Sequence, residues 1–188
     1  MTDLSPLCAS GQTAPRVATH GALTITEHAS RALASLALRR NAAEPHPFGL
    51  SLPGPGLWSA GQGMAAFWTG PHQWMIEAEG RAQDDFAHDL KTHAPGCSVT
   101  EQTDGWVCYE ITSGRGAAPI HDLLAKLVNI DAADFGPGRA TRTGLEHMSV
   151  FVIRRAQDRL AILGMRSSAG SLWHAVETAA ERVEGVLK

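Results

Sequence analysis

The side chains able to move a proton, attack a carbonyl or hold a metal are present, but their spacing assembles no self-contained active site. The chain has nine histidines. His88 and His93 are five residues apart, about 140° around a helix, so they share no face. His20, His28, His46 and His72 fall in separate loops or strands, and His121 adjoins Asp122 near a helix start. No H-x-x-x-H pair and no carboxylate triad stands at ligand spacing, so surface or capping roles account for the histidines. No G-x-S-x-G nucleophile elbow occurs. Gly61-Gln62-Gly63 and Gly136-Pro137-Gly138 open like a G-x-G-x-x-G phosphate loop but lack its last glycine, and Pro137 removes an N–H that a phosphate would take. Cys8, Cys97 and Cys108 form no C-x-x-C, and their odd number argues against a disulfide framework and for a reducing compartment. Arg115, Arg139 and Arg142 lie in turns beside predicted strands, either as a bidentate carboxylate clamp or as solvated loop arginines. The sequence thus assigns no catalytic, cofactor-binding or metal-binding residue.

The elements that would position these groups alternate between two periods. From Trp106 to Ile111, Val107, Tyr109 and Ile111 point one way and Trp106, Cys108 and Glu110 the other, which predicts a strand. Gly114 and Gly116 break it, and Ile120, Leu123, Leu124, Leu127 and Val128 then make one apolar helical stripe, with Pro119 in the first turn. Leu23–Glu27 reads as a strand. Leu33–Leu38 reads as a strand or, equally, as a short helix, because Ala and Leu favour one. Residues 41–63 carry four prolines and several glycines, so an irregular connection is predicted, with Leu57 and Trp58 needing apolar cover. Ala65–Trp68 and Trp74–Glu79 read as strands around a tight reversal, and Arg81–Ala94 as a helix with Asp84 and Asp85 in its first turn. Ser98–Thr103 is predicted to form a hairpin with the next strand through Asp104-Gly105. After a connection over Asp131–Thr143, strands are expected at Met148–Arg154 and Arg159–Met165. A helix is expected from Ser168 to Val186, with Leu187 closing its stripe. From residue 65 the order is β-β-α-β-β-α-β-β-α, an α+β fold of largely antiparallel sheets with helices packed on one side.

A chain of 188 residues suits a single domain of two lobes, placed at about 21–112 and 113–188. Residues 1–20, rich in Ser, Thr, Pro and Gly, read as a flexible N-terminal arm that either stays mobile or lies on a partner. A formal charge of −3 with no Lys/Arg run gives no electrostatic footprint for nucleic acid. No apolar run has the length of a signal-peptide core or a membrane span, so a cytoplasmic location is expected.

Three segments together carry a family resemblance: FWTGPHQWMI, then TEQTDGWVCYEITSGRGAAPIHDLLAKLVNIDAADFGPGRATRTGLEHMSVFVIRR, then MRSSAGSLWHAVETAAERV. The Gly-Pro turn before Trp74, the connection ending in R-T-G-L and the closing S-L-W helix resemble the gamma subunit of heterotetrameric sarcosine oxidase. The likeness covers residues 65–184. It implies a fold similar to the folate-binding aminomethyltransferase (T-protein) domain. It also implies a bacterial, cytoplasmic complex with alpha, beta and delta subunits that oxidatively demethylates sarcosine to glycine. Formaldehyde or methylene-tetrahydrofolate, with hydrogen peroxide, are the complex's other products. By the same resemblance FAD, FMN, NAD, tetrahydrofolate and zinc belong to other subunits.

In folate-binding relatives, the strand matching Met148–Arg154 carries an aspartate that meets the folate's reactive nitrogen. The matching positions here fall near Met148 and Ser149, neither of which holds a proton as a carboxylate does. Glu146 is two or three residues away, and an odd shift along a strand turns a side chain to the other face. The resemblance therefore implies a non-catalytic subunit buttressing the large alpha subunit, with Trp58, Arg139 and Arg142 as candidate interface residues. A stand-alone tetrahydrofolate-binding one-carbon transferase or folate carrier, using Glu146, is the alternative. A scaffold for an unrelated amine oxidase is a third reading.

Overall fold

The computed structural model describes residues 6–185. The first five residues of the expected arm, and Val186 and Leu187 of the expected last helix, lie outside the described residues. In chain order the elements are β1 (Val17–His20), β2 (Leu23–Glu27), β3 (Ala32–Leu38), β4 (Trp58–Gly61), β5 (Met64–Gly70) and β6 (Gln73–Ala78). Then come α1 (Phe86–His93), β7 (Cys97–Glu101), β8 (Trp106–Ser113), α2 (Ala118–Leu127) and β9 (Ala140–Leu145). The chain closes with β10 (Met148–Ala156), β11 (Arg159–Met165) and α3 (Ala169–Gly185). They form two compact units, one of Met1–Ala29, Trp106–Pro137 and Arg142–Lys188, the other of Ser30–Gly105 and Gly138–Thr141. The units interleave along the chain, whereas the sequence placed a single division near residue 112.

The first unit holds a six-stranded sheet in the order β1-β2-β8-β11-β10-β9. Register explains its burial. Ile25 faces Ile111, which faces Leu160, and Glu27 faces Tyr109, which faces Ile162. Because cross-strand partners share a face, these two rows lie on one side. There α2 lays down Ile120, Leu123 and Leu124, and α3 lays down Leu172, Trp173, Val176 and Val183. Each such side chain taken fully out of water contributes about 1.5–3 kcal/mol. Tyr109, the only tyrosine, is 1% exposed; its hydroxyl donates to Ala169 O at 2.9 Å and its ring meets Trp173 edge-on. The expected arm is ordered from Val17 onward as the edge strand β1, antiparallel to β2.

The second unit holds a five-stranded sheet, order β4-β5-β6-β3-β7, in which every pairing is antiparallel. The open choice at residues 33–38 resolves as strand, because β3 takes hydrogen bonds from β6 on one side and β7 on the other. Its Ala32, Ala34 and Leu36 are fully buried with Ile76, Phe86 and Leu90. The helix is shorter than expected: Asp85 serves as N-cap, its carboxylate accepting from His88 N at 3.1 Å, and Asp84 instead pairs with Arg81. The irregular 41–63 stretch contains β4, which closes a hairpin onto β5 through Gln62 and Gly63, both in the left-handed region. Trp74 Nε1 donates to Pro53 O at 2.8 Å and pins the proline-rich segment to the sheet.

The hairpin expected at Asp104-Gly105 does not form. The strand before it, β7, pairs with β3, while β8 takes the centre of the other sheet between β2 and β11. A short 3-10 turn over Thr103–Gly105 stands there instead, with the Glu101 carboxylate accepting from Gln102 N, Thr103 N and Thr103 Oγ1. Strand β9, read from the sequence as connection, forms a hairpin with β10 around Glu146-His147.

Candidate functional site

Of the candidate interface residues, Trp58 and Arg139 come together. Trp58 N donates to Gly138 O at 2.8 Å, and Leu57 bridges Arg139 through the backbone. Trp58 faces inward as well as outward: it is half-buried, and Nε1 donates to Glu77 Oε1 at 3.2 Å. Glu77 is 2% exposed, and Arg31 Nη1 meets its other oxygen at 2.8 Å. Arg31 also reaches Glu79 through Nε and Nη2. One guanidinium N–H and one indole N–H, each on its own oxygen, thus make a buried carboxylate tolerable in the sheet. Arg139 is exposed.

Arg142 belongs to the other unit. It is exposed, and Nε donates to Ser149 Oγ at 2.9 Å, with the guanidinium 5.9 Å from the Phe151 ring, itself against Trp106. Arg115 Nη2 lies 2.7 Å from both oxygens of Glu184, which also accepts from Ala22 N. Arg115 thus already holds a carboxylate within its own chain.

Three buried carboxylates, Glu27, Glu77 and Glu110, were not singled out by sequence reasoning, and each is engaged. Glu110 is approached by Arg155 Nε at 3.4 Å, Arg159 Nε at 3.6 Å and His28 Nε2 at 3.8 Å. Glu27 accepts from Ala9 N at 2.7 Å and Arg16 N at 3.3 Å. The signal for Glu27 was available: it continues the inward parity of Leu23 and Ile25. Burial pushes the Tyr109 hydroxyl well above its ordinary value, and the Glu27 charge adds to this. Burial also raises the thiols of Cys8 and Cys97, and lowers Arg154, which is fully buried at the β10–β11 reversal. There Arg154 Nε donates to Ala156 O at 2.8 Å and Nη2 donates to Gln157 O.

Met148 is half-buried and packs against the core of the first unit, and Ser149 is exposed, its Oγ accepting from Arg142 Nε. Glu146 sits at the tip of the β9–β10 hairpin, exposed, with φ of 51°. Histidines are scattered; His20 comes nearest to a cluster, between Glu177 at 3.8 Å and Glu181 at 3.9 Å. Among the described residues no group of three His, Cys, Asp or Glu is placed to hold a metal ion. None of the described helices is long and apolar enough to cross a membrane.

No family model and no curated protein matches the sequence. Solved structures do resemble it. One is a chain of heterotetrameric sarcosine oxidase from Corynebacterium sp. U-96 in complex with pyrrole 2-carboxylate. Its TM-score is 0.72 at 20% identity, over 89% of this chain and 88% of that one. Another is glycine cleavage system aminomethyltransferase T from Bartonella henselae, at TM-score 0.59 and 14% identity. It matches 84% of this chain, which spans 46% of that longer protein. At these identities the likeness establishes the fold: an α+β arrangement that has, among the described residues, two antiparallel sheets and three α-helices, similar to that of a sarcosine oxidase chain and of an aminomethyltransferase.

Proposed function

We propose that this chain is the non-catalytic gamma subunit of a heterotetrameric sarcosine oxidase, supporting assembly with the alpha subunit alongside beta and delta subunits in the cytoplasm. The observation that carries the reading is extent. The correspondence runs over 89% of this chain and 88% of the sarcosine oxidase chain, but over only 46% of the aminomethyltransferase. A chain of this size is thus matched as a whole to a chain of that complex, and as a part to a one-carbon transferase. In this reading the complex converts sarcosine to glycine, releasing formaldehyde or methylene-tetrahydrofolate and hydrogen peroxide. FAD, FMN, NAD, tetrahydrofolate and zinc reside in the other subunits.

An obligate interface on the order of 2,000 Å² or more, apolar at its core, goes with this role. Trp58 with Arg139 on one unit, and Arg142 on the other, are its proposed contacts. Because Trp58 also satisfies Glu77, Trp58→Ala disturbs the interior too; Arg139→Ala and Arg142→Ala remove only exposed groups and test the interface more cleanly.

Co-expression with the alpha, beta and delta subunits, size-exclusion chromatography and a flavin spectrum of the peak test the reading. A yellow complex that contains this chain and oxidises sarcosine, with the isolated chain colourless and inert, supports it. Large subunits fully active without this chain, which elutes apart, refute it. The folate-carrier alternative predicts tetrahydrofolate binding to the isolated chain in calorimetry, and the exposed hairpin position of Glu146 weighs against it.

A further inference from the structure

The segment from Leu7 to Arg16 has no helix or strand of its own. Its internal bonds make one turn, Gly11 N to Cys8 O and Cys8 N to Gln12 O. Outward, it converges on Glu27. Ala9 N and Arg16 N donate to the two carboxylate oxygens, and Glu27 N donates to Arg16 O at 2.9 Å. Arg166 Nη2 donates to Leu7 O at 2.7 Å, and the Arg16 guanidinium lies 4.6 Å from the Trp173 ring centre. Cys8 is buried beneath this segment, while residues 11–17 are exposed. Ser10 Oγ is buried with no hydrogen-bond partner among the described residues, an unfavourable contact inside the same segment.

We propose that residues 7–16 form a releasable strap, seated by the Glu27 carboxylate, whose opening uncovers that carboxylate and the Trp173 face while the sheets stay paired. The physical basis is the asymmetry of attachment. β2 is held along its whole length by the ladders of β1 and β8, whereas the strap has no ladder and is seated through the Glu27 carboxylate, one backbone bond to Glu27, Arg166, a cation–π contact and the packing of Cys8 and Ala9. The proposal does not depend on the subunit reading: it concerns a motion within this chain.

The three cysteines provide the test, because Cys8 lies in the strap while Cys97 and Cys108 are buried in β7 and β8. Alkylation of the native, full-length protein is followed residue by residue by mass spectrometry. In the unaltered protein Cys8 is labelled first. Glu27→Gln keeps the shape but removes the charge and turns one acceptor oxygen into an NH2, so only one of the two N–H bonds can be kept. Because the Glu27 charge also raises the Cys8 thiol, the rates are compared as thiolate rates from the pH dependence of labelling. On that scale Cys8 labelling is expected to speed about tenfold or more without moving Cys97 or Cys108. Should Glu27→Gln fail to fold, Arg166→Met, which removes the bond to Leu7 O, is expected to act in the same direction. Ser10→Ala removes the orphan hydroxyl and is expected to slow Cys8. All three thiols reacting together in the unaltered protein would mean that the segment opens only with the whole fold, and would overturn the proposal. So would Cys8 labelling that neither Glu27→Gln nor Arg166→Met changes.

Discussion

Arg31→Met asks how much of the second unit rests on one buried carboxylate. Glu77 is 2% exposed, with Arg31 Nη1 at 2.8 Å on one oxygen and Trp58 Nε1 at 3.2 Å on the other. Methionine keeps much of the arginine's stem volume and removes the charge. The contact with Glu79 is near the surface and accounts for roughly 0–1 kcal/mol. Stranding a buried charge costs more, about 3–5 kcal/mol. For a chain of this size that lowers Tm by roughly 6–20 °C. Glu77→Gln in the same background removes the stranded charge, so the double variant is expected to recover a large part of the loss. The assay is thermal or urea unfolding of the two single variants and the double variant, analysed as a double-mutant cycle. A coupling of about 2 kcal/mol or more is expected. Single effects that add to within about 0.5 kcal/mol would refute the claim that these groups depend on each other.

Further outcomes are expected elsewhere. A Cβ built on Gly164 stands 2.6 Å from Leu172 Cδ2 in a fully buried contact, so Gly164→Ala should destabilise by about 1–3 kcal/mol, read from the urea midpoint. Asp85→Ala removes the N-cap of α1 and should cost about 0.5–2 kcal/mol, with Asp85→Ser retaining most of it. Tyr109 has its ionisation held above the ordinary 10.0 by burial, so above that pH the unfolded chain loses a proton that the folded chain keeps. Stability therefore falls as pH rises past that point. Since it is the sole tyrosine, tyrosinate absorbance should appear only together with unfolding; a rise at the ordinary pH in still-folded protein would contradict its burial.

Patterns carried by apolar periodicity were legible. Trp106–Ile111, the stripe of α2 and the strands β10 and β11 stand where alternation and the i, i+3, i+4 spacing put them. What escaped was decided by partners distant in sequence. β4 is made of Trp-Ser-Ala-Gly, with too little apolar side chain to show a period, and exists because β5 pairs with it. β9 alternates only weakly, as Ala-Thr-Arg-Thr-Gly-Leu. Asp104-Gly105 has hairpin chemistry, but its flanking strands have better partners in two separate sheets. Among the candidate site residues, Trp58 was legible as a side chain needing cover. Its Glu77 partner was not, because a strand buried on both faces hides an inward glutamate among its neighbours. Turn positions beside predicted strands grouped Arg115, Arg139 and Arg142, but Arg139 belongs to a different unit from the other two.

The interleaving also has a consequence for how the protein emerges from the ribosome. Glu27 pairs with Tyr109 at the centre of the first unit's sheet, although most of the second unit is spelled out between them. Left as a coil, that intervening stretch of about 80 residues would make the pairing an entropically slow search. Folded first, it brings its own ends together: Ala34 sits opposite Glu101, and Leu33 N donates to Thr103 Oγ1 at 2.9 Å. The loop to be closed then shortens roughly sixfold, lowering the closure cost by about 1.6 kcal/mol. Vectorial synthesis thus favours a definite sequence of events. The inserted unit condenses first, apart from its late Gly138–Thr141 segment, and so hands β2 and β8 to each other across a short gap.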